Sequence, residues 1–222
     1  MSTTSLFQNG VYPTAAYAGS ADGSMAANHV TWNYGTTAYC ELNASGGGGF
    51  WKRTLMSFDI SSIPATEIIV SASLFFTSRS GSAAGNIVGV YAGLNAWVEG
   101  TMNAAQAGAN EPCWNAREAD GAGGVTTAWG AAGGLAGTDY VAVAEGTVET
   151  VADATEYTVP LSTTLVQNWV TTPANNFGLW LLRTEANAAS SIYSNNDAGA
   201  GNHPMLKVVH AAQTMTPCIM ML

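Results

Sequence analysis

Turn signals divide this sequence at short, fairly even intervals, and that punctuation restricts the fold more than any other feature. Asn9-Gly10, Asp22-Gly23, the glycine run at 46–49, Gly81, Asp120-Gly121, Gly133-Gly134 and Asn195-Asn196 supply residues that tolerate tight or left-handed backbone. Between them lie runs of strand length. Residues 67–77 form the strongest, with Ile68, Val70, Ala72, Leu74 and Phe76 at period two. Residues 50–60 place Phe50, Thr54, Met56, Phe58 and Ile60 on one face with Lys52, and Trp51, Arg53, Ser57 and Asp59 on the other. Further strands are predicted at 30–34, 38–42, 87–92, 140–144, 147–151, 157–161, 177–182 and 205–209. Only residues 162–170 read as helix, with Leu165 and Trp169 four apart and Ser162 at the N-cap position. The pattern predicts an all-β fold, a jelly-roll-like antiparallel β-sandwich with long loops and at most one short helix.

With 222 residues the chain is long enough for a full core in one β domain. Residues 17–209 are read as that single domain, preceded by an N-terminal arm at 1–16 and followed by an apolar tail at 210–222. The Gly/Ala-rich stretch at 101–137 reads as a long loop system and not as a linker. Charged residues make up only 9% of the chain, and six basic against fifteen acidic residues give a formal charge of −9. That balance excludes nucleic acid as the main partner and disfavours an anionic membrane surface. No run of membrane-spanning length is present, and residues 1–9 have neither the basic start nor the apolar stretch of a signal peptide. The expected setting is therefore folding in a cytoplasm. Cys40, Cys113 and Cys218 are odd in number and lack metal-ligand spacing, so they are expected as reduced thiols.

Motifs for chemistry are sparse. Nucleophile elbows, zinc-binding helices and phosphate-binding loops are all missing, and His29, His203 and His210 stand singly. The acidic run Asp139, Glu145, Glu149, Asp153 and Glu156 reads as a solvated edge, with a structural calcium site as its alternative. Seven tryptophans are many for this length; most are expected in the core. Trp51 is the best candidate for stacking on a sugar ring, against a competing reading of core or interface packing, and Arg53 on the same face fits either. In the tail, Met215, Ile219, Met220, Met221 and Leu222 form a candidate docking segment. No catalytic residue is assigned, and the chain is read as non-enzymatic.

Several strings resemble a known family. Asn33-Tyr34-Gly35, then Arg53-Thr54-Leu55-Met56-Ser57-Phe58-Asp59-Ile60-Ser61-Ser62-Ile63-Pro64, then Val70-Ser71-Ala72-Ser73-Leu74 are similar to the start of a DNRLRE-type domain. Tyr17-Ala18-Gly19-Ser20-Ala21-Asp22 matches its first strand, and Val166-Gln167-Asn168-Trp169-Val170, Ile192-Tyr193-Ser194 and His203-Pro204-Met205-Leu206 match its closing half. The resemblance implies a jelly-roll sandwich related to carbohydrate-binding modules, found beside polysaccharide-degrading enzymes and in phage structural proteins. It frames the functional expectation: a bacteriophage virion protein, such as a capsid decoration protein, assembled in the host cytoplasm. Its expected partners are the major capsid protein or further copies of itself. Recognition of a polysaccharide as a carbohydrate-binding module is the alternative.

Overall fold

The computed structural model describes residues 1–44, 51–184 and 189–213. Every strand pair in it is antiparallel. The strands are β1 (Ser2–Phe7), β2 (Ser20–Ala26), β3 (Trp32–Asn33), β4 (Tyr39–Asn43), β5 (Lys52–Phe58), β6 (Glu67–Ser80), β7 (Ile87–Ala92), β8 (Ala105–Gln106), β9 (Ala116–Ala119) and β10 (Val125–Ala128). They continue with β11 (Gly146–Glu149), β12 (Glu156–Leu161), β13 (Leu179–Arg183), β14 (Ala189–Tyr193) and β15 (Met205–Ala212), and α1 spans Thr163–Thr171. The predicted jelly-roll-like sandwich is what forms.

One curled sheet runs β1-β15-β6-β14-β4-β5-β13-β7-β11, with β12 on β6 and β2 on β5. β6 is long enough to serve both layers. Residues 67–77 pair with β15 and β12, while Ser78 and Ser80 pair with β14 across a register shift. The bulge lets one strand turn the corner between the layers. The main core fills the space between them: Leu74 and Phe76 of β6, Met56 and Phe58 of β5, Val88 and Val90 of β7, Leu179 and Leu181 of β13, and Leu206 and Val208 of β15. α1 closes one end with Val166, Trp169 and Val170 buried. Gln167 fixes it to the sheet, accepting the Ile69 N–H at 2.9 Å and donating to the Glu67 carbonyl at 3.0 Å. Ser162 occupies the cap position but its side chain makes no capping bond there.

A second core lies on the other face of β5 and β13. Leu55, Met25 and Trp180 meet Trp114, Trp129 and Tyr140 from the loop system. Trp129 and Trp180 pack edge to face at 5.0 Å. Gly134 lies so close to this stack that a Cβ there would come within 2.5 Å of the Trp180 ring, and its φ of +93° is left-handed, so only glycine fits.

Several expectations are corrected. Residues 1–16, set apart as an arm, supply β1, which pairs with β15 and buries Phe7 in the core. β15 itself runs past residue 209 to Ala212. Asp22-Gly23, read as a turn, lies inside β2, where Asp22 pairs with Met56 and Gly23 with Leu55. Residues 140–144 form no strand, since Tyr140 turns into the second core and Val143 stands 79% exposed. Only two residues of the predicted strand at 30–34 pair, with β8. Phe50, the glycine run at 46–49 and the tail residues Met215, Ile219, Met220, Met221 and Leu222 lie outside the described residues.

The two cores make a direct prediction. Trp180→Ala removes a side chain buried to 0% exposure and is expected to cost about 3–5 kcal/mol in denaturant unfolding. Trp51→Ala, at 41% exposure, is expected to stay within about 0.5 kcal/mol. Equal effects would remove the second core as a stabilising element.

Candidate functional site

The loops at 93–145 form a layer over the second core, held by polar side chains of their own and by Asn33 and Arg53. Irregular backbone brings N–H groups that no strand partner satisfies, so buried side chains must accept them. Asp139, 2% exposed, accepts the N–H groups of Gly130 at 2.9 Å and Leu135 at 2.7 Å, and the Asn95 amide at 3.1 Å. Glu111 accepts the Thr101 N–H and hydroxyl, both at 2.7 Å, and the Gly108 N–H at 2.8 Å. Asn33 donates to the carbonyls of Glu99 and Pro112 at 3.0 and 3.1 Å, and its Oδ1 accepts the Gly35 N–H at 2.9 Å.

Arg53 belongs to the same framework. Its Nη1 donates to the carbonyls of Gly133 at 2.5 Å and Gly134 at 2.7 Å. Its guanidinium carbon sits 5.5 Å from the Trp114 ring centre and 5.8 Å from that of Tyr140. Burial lowers its pKa, and the neighbouring Tyr140 and Asp139 oppose that shift. Arg53 is thus committed to the chain's own glycine turn. Trp51, two residues earlier on the same strand side, remains exposed, and its carbonyl accepts the Ala27 N–H at 2.8 Å. The two candidates share a face, but the loop layer covers only Arg53.

The acidic run disperses. Glu145 accepts the Ser162 N–H at 3.1 Å, Glu149 the Gly85 N–H at 2.6 Å and Asp153 the Ser82 N–H at 2.8 Å. Among the described residues no group of three or more His, Cys, Asp or Glu side chains is placed to hold a metal ion, so the calcium alternative finds no ligand set there. The histidines hold termini and turns. His29 stacks on Trp32 at 4.0 Å and hydrogen-bonds Tyr34 at 2.6 Å. His203 meets the carbonyls of Asn9 and Asp197, and His210 pairs with Glu67 and Ser5.

One buried group went unread in the sequence. Asp22 is 1% exposed in β2; Oδ2 accepts the Asn195 N–H at 2.7 Å, and Oδ1 accepts the Cys40 thiol at 3.6 Å. Its own N–H donates to Glu99 Oε1 at 3.1 Å. Burial pushes the Asp22 carboxyl up to about 8, the Asn195 bond pulls it down, and the Glu99 charge raises it further. Burial also raises Glu99 and holds the Cys40 thiol well above its usual range. Asp22 and Cys40 are sealed from solvent, and with the half-buried Glu99 and with Asn195 they join β2, β4 and two loops. An Asp-Gly pair signals a turn in a sequence, and only the distant partners Cys40, Glu99 and Asn195 make it a strand position.

Comparison with protein-family models and with curated protein sequences finds no match to this chain. The site therefore rests on its own geometry: Asp139 and Glu111 spent on backbone donors, Arg53 clamped on two carbonyls, Trp51 exposed, and His210 held between Glu67 and Ser5.

The raised Asp22 pKa sets the sign of a pH effect. Between its ordinary value of 3.8 and about 8, the folded chain holds a proton that the unfolded chain releases. Stability therefore falls as pH rises through that window, by at most about 1.4 kcal/mol per pH unit. Asp22→Asn, which mimics the neutral acid, is expected to flatten the unfolding free energy between pH 5 and pH 8 relative to wild type. Parallel profiles for the two proteins would show that Asp22 is ionised throughout.

Proposed function

We propose that this protein is a non-enzymatic assembly component of a bacteriophage virion, an exterior protein of the capsid decoration kind. In this reading it docks on the major capsid protein or on copies of itself, with many modest contacts summed by symmetry. The observation that carries it is the uncovered face of the β1-β15-β6-β12 layer. Ile68 and Val70 are 47% and 54% exposed there, and Phe75, Met205 and Val209 are half-buried on the same side. Ala211 and Ala212 at the end of β15 pair with Ile68 and Glu67. Large apolar side chains exposed on that face, among Lys207, Ser71 and Ser73, suit a contact surface. The commitment of the buried acids to backbone donors supports the non-enzymatic half of the reading.

Sedimentation velocity tests it. The full chain is expected to self-associate, and either Ile68→Lys with Val70→Lys or removal of residues 214–222 should weaken association about tenfold or more while leaving the fold intact by circular dichroism. A full chain that stays monomeric at every concentration, or association indifferent to both changes, would overturn the reading.

The exposed ring of Trp51 favours a second reading, a glycan-binding module. Affinity electrophoresis in polysaccharide gels should then show retardation that Trp51→Ala abolishes. Unretarded migration of the wild type across a panel of neutral and acidic polysaccharides would eliminate it.

A further inference from the structure

The hairpin of β9 and β10 and the segment at 96–98 enclose a groove of about 230 Å³, lined by Ala96, Trp97, Val98, Asn110, Arg117 and Glu118. Its walls are fixed. Trp97 donates its indole N–H to the Phe177 carbonyl at 3.0 Å and packs against the second core. Asn110 is held at a φ of +65° with its N–H on the Ala119 carbonyl at 2.8 Å, and Glu118 accepts the Thr127 hydroxyl at 2.5 Å across the hairpin. Val98 stands 52% exposed at the rim.

Arg117 differs from Lys52, Arg53 and Arg79 in making no hydrogen bond, ion pair or ring contact among the described residues, although the Arg53 Nε is unpartnered as well. Lys52 pairs with Glu41 at 2.5 Å, Arg53 is clamped on two carbonyls, and Arg79 lies 4.5 Å above the Tyr39 ring. The Arg117 Nε is buried without a hydrogen-bond partner among the described residues. No described carboxylate forms an ion pair with it, although Glu118 is its neighbour in β9. A buried, charged donor left without an acceptor is costly, and a planar guanidinium fits a carboxylate with two parallel bonds. Arg and Trp are also the side chains that most often anchor protein interfaces. The groove is smaller than ordinary small-molecule pockets of about 300 Å³ and more, so it admits one side chain and not a run of sugar rings.

We propose that this groove receives an Asp or Glu side chain from a loop of the protein on which the sandwich docks, with Arg117 binding the carboxylate, Trp97 forming one wall and Val98 the apolar rim. The proposal rests on the docking reading. It has a distinctive sign pattern: Arg117 attracts the incoming carboxylate and Glu118, in the same groove, opposes it.

The test follows the Arg117 Nε–H resonance of the ¹⁵N-labelled full chain during titration with N-acetylglutamate N-methylamide. N-acetylglutamine N-methylamide, glucuronate and inorganic phosphate serve as comparators. The glutamate derivative is expected to shift that resonance saturably in the millimolar range, and the glutamine derivative to leave it in place. Arg117→Gln should abolish the response, and Glu118→Gln should tighten it about threefold. Glu118→Gln keeps the test decisive if Arg117→Gln fails to fold. The proposal is overturned by an absent or unsaturable shift, by an equal response to the glutamine derivative, by weaker binding in Glu118→Gln, or by glucuronate or phosphate saturating at lower concentration. Because the probes are small molecules, failure here leaves self-association by sedimentation unaffected, and the two readings can fail separately.

Discussion

Burial of both faces of the β5–β13 strand pair is the constraint from which the rest of this structure follows. One face turns Met56, Leu179 and Leu181 into the space between the layers, and the other turns Leu55 and Trp180 away from it. A sandwich has no third sheet to cover that second face, so a long loop system must do so. Loops at such a depth bring unpaired N–H groups, each costly to bury. Glu111, Asp139 and Asn33 answer that demand, and the glycines at 133 and 134 let the backbone approach the Trp114 and Trp180 rings. The residues that look most like chemistry in the sequence are thus the residues that make a loop layer possible.

The same constraint explains how a chain with fifteen acids and six bases tolerates its imbalance. Hydrogen bonds from backbone N–H groups stabilise an ionised carboxylate without a cationic partner. Asp22 is the exception that shows the limit of this device. It has one N–H and one thiol donor, and Glu99 stands nearby, so burial outweighs those bonds and pushes the carboxyl's pKa up. Arg53 performs the complementary task, satisfying two carbonyls of the loop layer with one guanidinium and two aromatic faces.

Legibility in the sequence tracked the strength of period-two alternation. β12 alternates cleanly, and β6 does so from Ala72 to Ser78, but a register shift at Val70-Ser71 turns Ile68 and Val70 outward from the face they share in sequence with Ala72, Leu74 and Phe76. Periodicity shows neither β2 nor β1: Ser-Ala-Asp-Gly-Ser carries no apolar period, so only the resemblance at residues 17–22 points to a strand there, and Ser and Thr dominate β1. In both cases pairing with a neighbouring strand supplies what propensity does not. Residues 140–144 looked like a strand for the opposite reason: alternating Tyr and Val residues serve a loop, with Tyr140 anchored and Val143 free. Trp51 and Arg53 could be placed on one face from spacing alone. Whether a loop folds over that face depends on contacts some eighty residues away, at Gly133 and Gly134, and no local pattern reports them.

The two outward surfaces differ in what they can contribute to an assembly. The outward face of the β1-β15-β6-β12 layer sets Ile68, Val70, Met205 and Val209 among Ser and Thr residues with few charges, so it can supply adhesion but little orientation. The groove at Arg117 is small and sets one guanidinium beside the apolar Trp97 and Val98, so it can supply orientation but little area. A formal charge of −9 disfavours any acidic partner at long range, yet salt screens that repulsion beyond about 8 Å under physiological conditions. A carboxylate would therefore feel Arg117 only after apolar contact has brought the surfaces together. On that ordering, adhesion precedes recognition, and the Arg117 guanidinium discriminates among docked arrangements instead of recruiting partners from solution.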